Sequence, residues 1–99
     1  MNTVSKAQFV NDAKNVILHN EFISVRNADK LTERTSFRDV LDMTSLDIAT
    51  LIIALEEKYH VDMQWAMDGI DNIDDVYALF LRNFQKTTQR NISQSQKQR

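Results

Sequence analysis

Residues 44–60 read TSLDIATLIIALEEKYH, and this stretch decides the fold. Thr44 and Ser45 are cap-type residues, and Asp47 falls in the first turn, where a negative charge suits the helix dipole. Ile48, Leu51, Ile52, Leu55 and Tyr59 recur at helical spacing and make one apolar stripe. Leu46, Ala49 and Ile53 make a second stripe on another face. Two accounts fit the second stripe. A central helix buried on two sides is the commoner cause, and a protein-docking face is the functional one.

Working outward, Ser36-Phe37 with Asp39, then Val40-Leu41, predicts a short capped turn that carries Phe37 and Leu41 inward. A polar connection, RNADKLTERT, precedes it from about Arg26 to Thr35, with Leu31 as an anchor to the core. Further upstream, Ser5 or Thr3 caps a first helix whose apolar positions Phe9, Val10, Ala13, Val16 and Ile17 share one face; the pattern fades around Ile23–Val25. Downstream, Val61–Met67 reads as a connection anchored by Met63 and Trp65, and Ile70 and Ile73 open a short turn. Ile73, Val76, Tyr77, Phe80, Leu81 and Phe84 fit a last helix, with Asp74 and Asp75 in its first turn and Arg82 and Lys86 near its end. From about Gln85 the chain is QKTTQRNISQSQKQR, whose one apolar residue, Ile92, cannot offset the entropy of ordering. The expectation is therefore an all-α bundle of three main helices plus one short helix over residues 1–84, with a disordered basic tail at 85–99.

Composition narrows the chemistry. The chain has 99 residues, one Gly, no Pro and no Cys. A single Gly excludes phosphate-cradling loops and argues against a hairpin-rich β fold. Without Cys there is no disulfide, thiolate zinc site or thiol nucleophile. No run approaches the roughly 18 apolar residues that span a bilayer, and the N-terminal MNTVSKAQFVNDAK is too polar for a secretory h-region. A cytoplasmic location, with no membrane partner, is the expectation.

The net charge of −2 hides an asymmetry. Residues 39–75 hold ten acids against one base, Lys58, whereas residues 76–99 hold five bases and no acid. So acidic a middle segment repels nucleic acid and anionic membranes and attracts a basic protein surface. A solvated face that keeps a small protein soluble is the plainer account.

His19 and His60 are far apart in sequence and read as surface residues; no metal site is expected. Asp68, Asp71, Asp74 and Asp75 lack the alternating order and closing Glu of a calcium loop. No Ser has the flanking glycines of a nucleophile elbow. One site is left. The Ser45 hydroxyl sits beside the first unpaired backbone N–H groups of the strongest helix, where an esterified phosphate meets a favourable dipole. The nearby acids discourage a free anion, so a covalently placed phosphodiester fits better than a binding pocket. An ordinary helix cap is the simpler account of a Ser there.

At these residues the sequence resembles the acyl carrier protein family, whose signature is an Asp-Ser-Leu at the head of the second helix. Here the match is Thr44-Ser45-Leu46-Asp47. Ser36-Phe37-Arg38-Asp39-Val40-Leu41 resembles the family's Ser-Phe-x-x-Asp-Leu, nine residues ahead of the Ser. Ala54-Leu55-Glu56-Glu57-Lys58-Tyr59 is similar to its Ala-Leu-Glu-Glu-x-Phe, and Ile70-Asp71-Asn72-Ile73-Asp74-Asp75-Val76 to its Ile-x-Thr-Val-x-Asp-Leu. The likeness spans about residues 5–84. The chain departs from the pattern at Thr44, where the family has Asp, at Asp42, where it has Gly, and at Thr50, where an acid is common; the loop near Gln64 lacks the usual Pro.

The resemblance implies a carrier rather than an enzyme. Ser45 would bear a covalent 4′-phosphopantetheine whose thiol holds an acyl group as a thioester for a fatty-acid or polyketide-like pathway. Asp42, Thr44, Leu46, Asp47, Ala49, Ile53, Glu56 and Glu57 would meet partners. Those partners would be a phosphopantetheinyl transferase and acyl-loading and ketosynthase-type enzymes with basic docking patches. A monomer is expected. The rival reading is a helical interaction adaptor without a prosthetic group, in which Ser45 is only a cap.

Overall fold

The computed structural model describes residues 4–62, 65 and 69–83. The expected tail at 85–99, the Met63 anchor and Phe84 lie outside these residues. Three helices form the fold: α1 (Lys6–His19), α2 (Ser45–Tyr59) and α3 (helical over 73–83), with a short 3-10 turn at Ala28–Lys30. No strand occurs among the described residues.

Each helix begins where a polar side chain takes up an orphan amide. Ser5 caps α1, its hydroxyl accepting from the Gln8 N–H, and the alternative Thr3 lies outside the described residues. The Asn72 Oδ1 accepts from the Asp75 N–H at 2.8 Å and opens α3. Helix α1 ends at Asn20, whose Oδ1 turns the chain by accepting the Phe22 N–H. Helix α2 ends at His60 in the left-handed conformation, φ 57°.

The core is one cluster to which every helix contributes. Phe9, Ala13 and Ile17 come from α1, Ile48, Leu51, Ile52 and Leu55 from α2, and Ile73, Val76, Leu79 and Phe80 from α3. The Phe9 ring lies against Tyr59 of α2 and against Tyr77 and Phe80 of α3, with centroids 5.0–5.9 Å apart. Aromatic contacts of this kind add to simple area burial. Phe37 and Leu41 point inward as expected and are fully buried, and Leu31 and Trp65 pack against the cluster.

The capped turn forms at 37–40 as expected, with the Ser36 hydroxyl accepting from the Asp39 N–H. The short helix lies at 28–30, inside the segment read as a polar connection. Three residues cannot display a helical period. Asn27 makes the bend, taking φ 55° and donating its Nδ2 to the Val40 carbonyl at 2.8 Å. Residue 73 already belongs to α3, so no separate short turn stands between Ile70 and that helix beyond the Asn72 cap.

The loop before α2 is tied to the lead-in of α3 through Asp71. Its carboxylate accepts from the Ser36 hydroxyl at 2.6 Å and the Arg38 N–H at 3.1 Å, and its carbonyl accepts from the Phe37 N–H. Ser36 in turn accepts from the Asp39 N–H. Thus the Asp71 carboxylate is engaged in structural bonds, while Asp74 pairs with Lys6 of α1 at 3.0 Å.

Candidate functional site: the head of α2

Thr44 is the N-cap of α2. Its hydroxyl accepts from the Asp47 N–H at 3.1 Å, and the Asp47 carboxylate accepts from the Thr44 N–H at 2.9 Å. This is a full capping box, with Asp in the place usually held by Glu or Gln. Asp47 is buried and its carboxylate is committed to the box.

The box moves the cap role off Ser45. Ser45 is the first residue of α2 and is exposed. Its side chain, next to the amides that have no partner within the helix, is not the group that satisfies them. The guanidinium of Arg38 reaches across from the tied loop and donates from Nη1 to Ser45 Oγ at 3.4 Å, a long hydrogen bond.

The second apolar stripe is not buried on a second side. Leu46 is 75% exposed and Ile53 48%, with Ala49 half-buried between them. The commoner account of the stripe is therefore overturned: α2 buries one face, and the other carries apolar side chains into solvent beside Ser45. Helical spacing continues this face to Glu57, which is exposed; Glu56 is half-buried. Leu18 and Phe22, at the far end of α1, are the other exposed large hydrophobics among the described residues.

Asp42 is exposed and takes φ 57°, with its carboxylate 3.5 Å from Arg26 Nε. This left-handed backbone sits at the position where the sequence resemblance has Gly. The conformation is the physical reason a Gly suits the position, and Asp is among the few residues that tolerate it.

His19 and His60 are exposed, and no group of side chains that could hold a metal ion occurs among the described residues. Nor does a described helix have the length and apolarity to cross a membrane. Two features escaped the sequence reading. Arg38 stood out in no periodic pattern, because a loop rather than a helix brings it to Ser45. The other is a part-buried polar pair at the edge of the core: Tyr59 Oη donates to Asp12, whose second oxygen accepts from Gln8 Nε2 at 3.0 Å. Burial, together with the hydrogen bond and charge of Asp12, holds the Tyr59 phenol well above the usual tyrosine range.

The head of α2 thus brings together an exposed primary hydroxyl, a neighbouring guanidinium and an exposed apolar strip. No protein-family model and no solved structure matches the chain.

Proposed function

We propose that this chain is an acyl carrier protein rather than a catalyst, with 4′-phosphopantetheine joined to Ser45. The observation that carries the reading is the exposed Ser45 hydroxyl, released from capping by the Thr44–Asp47 box. When bound, the group supplies a terminal thiol that holds an acyl chain as a thioester. Ser45 Oγ is the point of attachment. Leu46, Ala49 and Ile53 form the apolar strip that a partner enzyme covers, with Glu57, Glu56 and Asp42 as its charged surround. Asp47 and Thr44 serve the same site by holding the helix head rigid. Surface charges of this kind speed encounter with basic partner enzymes more than they add affinity, which suits a shuttle that must release. The partners on this reading are a phosphopantetheinyl transferase and acyl-loading and ketosynthase-type enzymes of fatty-acid or polyketide-like synthesis, in the cytoplasm.

Intact-mass measurement after co-expression with a broad-specificity phosphopantetheinyl transferase tests it. A single phosphopantetheine addition, absent in Ser45→Ala, is the expected result. No addition with several transferases would instead make the strip the permanent interface of an adaptor.

A further inference from the structure

Arg38 reaches Ser45 from outside α2. Its backbone is held on both sides: the Arg38 N–H is fixed on the Asp71 carboxylate, the preceding Phe37 is fully buried with its own N–H on the Asp71 carbonyl, and the following Asp39 N–H is held by the Ser36 hydroxyl. The root of the side chain is thus anchored while its guanidinium stands in solvent with Nη1 at 3.4 Å from Ser45 Oγ. Next to it in sequence begins the segment of ten acids and one base. A cation at this spot is therefore out of keeping with the charge of the segment it introduces, and a partner with basic docking patches would be repelled by it. What it suits is an anion on Ser45 itself.

We infer that Arg38 holds the phosphate of a group esterified to Ser45, and so sets the direction in which the tether leaves the helix. This rests on the carrier reading for the identity of the group. The non-bridging oxygens of such a phosphate lie two bonds from Oγ, the atom that Arg38 already contacts. A guanidinium has five N–H donors in a planar fork, so engaging phosphate oxygens does not require Arg38 to give up its other partners. Arg38 is a positioning residue: it neutralises the phosphate locally and restrains the first bonds of the arm, without touching the thiol where the chemistry would occur. Lys keeps the charge without the fork and should reproduce the effect only in part.

Two samples test this separately from the carrier reading. In the first, wild type, Arg38→Gln and Arg38→Lys are loaded with phosphopantetheine, and the phosphorus-31 resonance is followed as NaCl rises from about 20 to about 500 mM, a range over which exposed ion pairs are progressively screened. The wild-type resonance should move with salt, that of Arg38→Gln should stay nearly constant, and that of Arg38→Lys should lie between. In the second, the chain is phosphorylated on Ser45 without any transferase, and the second phosphate ionisation, ordinarily near 6, is titrated. It should lie a few tenths of a unit lower in wild type than in Arg38→Gln. Identical salt profiles and identical titrations in wild type and Arg38→Gln would overturn the assignment. Failure of loading in wild type is read by mass and counts against the carrier reading, whereas the phosphorylated sample still decides whether Arg38 holds a phosphate there. Unchanged unfolding midpoints of the unmodified variants are expected, since the side chain is exposed.

Discussion

Single residues set the geometry of the site. Asp42 adopts a left-handed backbone that Gly enters without a Cβ penalty. Asp42→Gly should therefore stabilise the fold by about 0.5–1 kcal/mol, while Asp42→Ala, which cannot make local side-chain bonds in that conformation, should lower stability. Denaturant midpoints check both; the lost contact to Arg26 is solvent-exposed and contributes little. Tyr59 gives a pH signature. Its phenol titrates higher in the fold than in the unfolded chain, so its contribution is fully present below the unfolded value near 10. Above that value the unfolded chain loses the proton first and stability falls as pH rises. Tyr59→Phe should cost roughly 1–3 kcal/mol at neutral pH, because Asp12 loses a donor. The gap from wild type should then narrow as pH rises from about 10 to about 12. A gap constant across that range would contradict the Tyr59–Asp12 pair.

At the scale of the element, α2 is a helix with two unlike apolar faces. Ile48, Leu51, Ile52 and Leu55 are fully buried, whereas Leu46 and Ile53 stand in solvent. Leu51→Ala should destabilise by about 2–5 kcal/mol, as core truncations do. Leu46→Asp and Ile53→Asp should leave the unfolding midpoint within about 0.5 kcal/mol of wild type, as exposed changes do, yet weaken association with an enzyme partner. Loss of stability in either Asp variant would mean that the strip is packed after all. Periodicity made both stripes legible in the sequence, but it could not rank them, because it records which residues share a face and not what covers that face. The capping box was partly legible: Thr44 and Asp47 were recognised as end signals, yet their reciprocal bonding, which frees Ser45, depends on backbone geometry at one turn. The loop positions were the least legible. Arg38, Ser36 and Asp71 meet only because two connections of the bundle lie side by side, and no local pattern encodes such a meeting.

Across the whole molecule, a small three-helix core in a chain without cysteine underlies the candidate site at the head of α2. The core explains stability through one shared cluster that includes Phe9 and Phe80, against whose rings Tyr59 and Tyr77 pack. It was readable from sequence because helical spacing marks all three helices and cap-type residues precede the first two; the Asn72 cap of α3 was not read. The exposed acids Asp42 and Glu57 stand with the exposed Leu46 and Ile53 on or beside α2. On the carrier reading proposed above, the chain displays the Ser45 hydroxyl to other proteins. That claim is tested most directly by intact-mass analysis with fragmentation of the protein purified from the cells that make it, before and after neutral hydroxylamine. The expected result is a phosphopantetheine addition confined to the peptide containing Ser45, with a further thioester-bound mass that hydroxylamine removes. An unmodified chain, or a modification on any residue other than Ser45, would contradict the account.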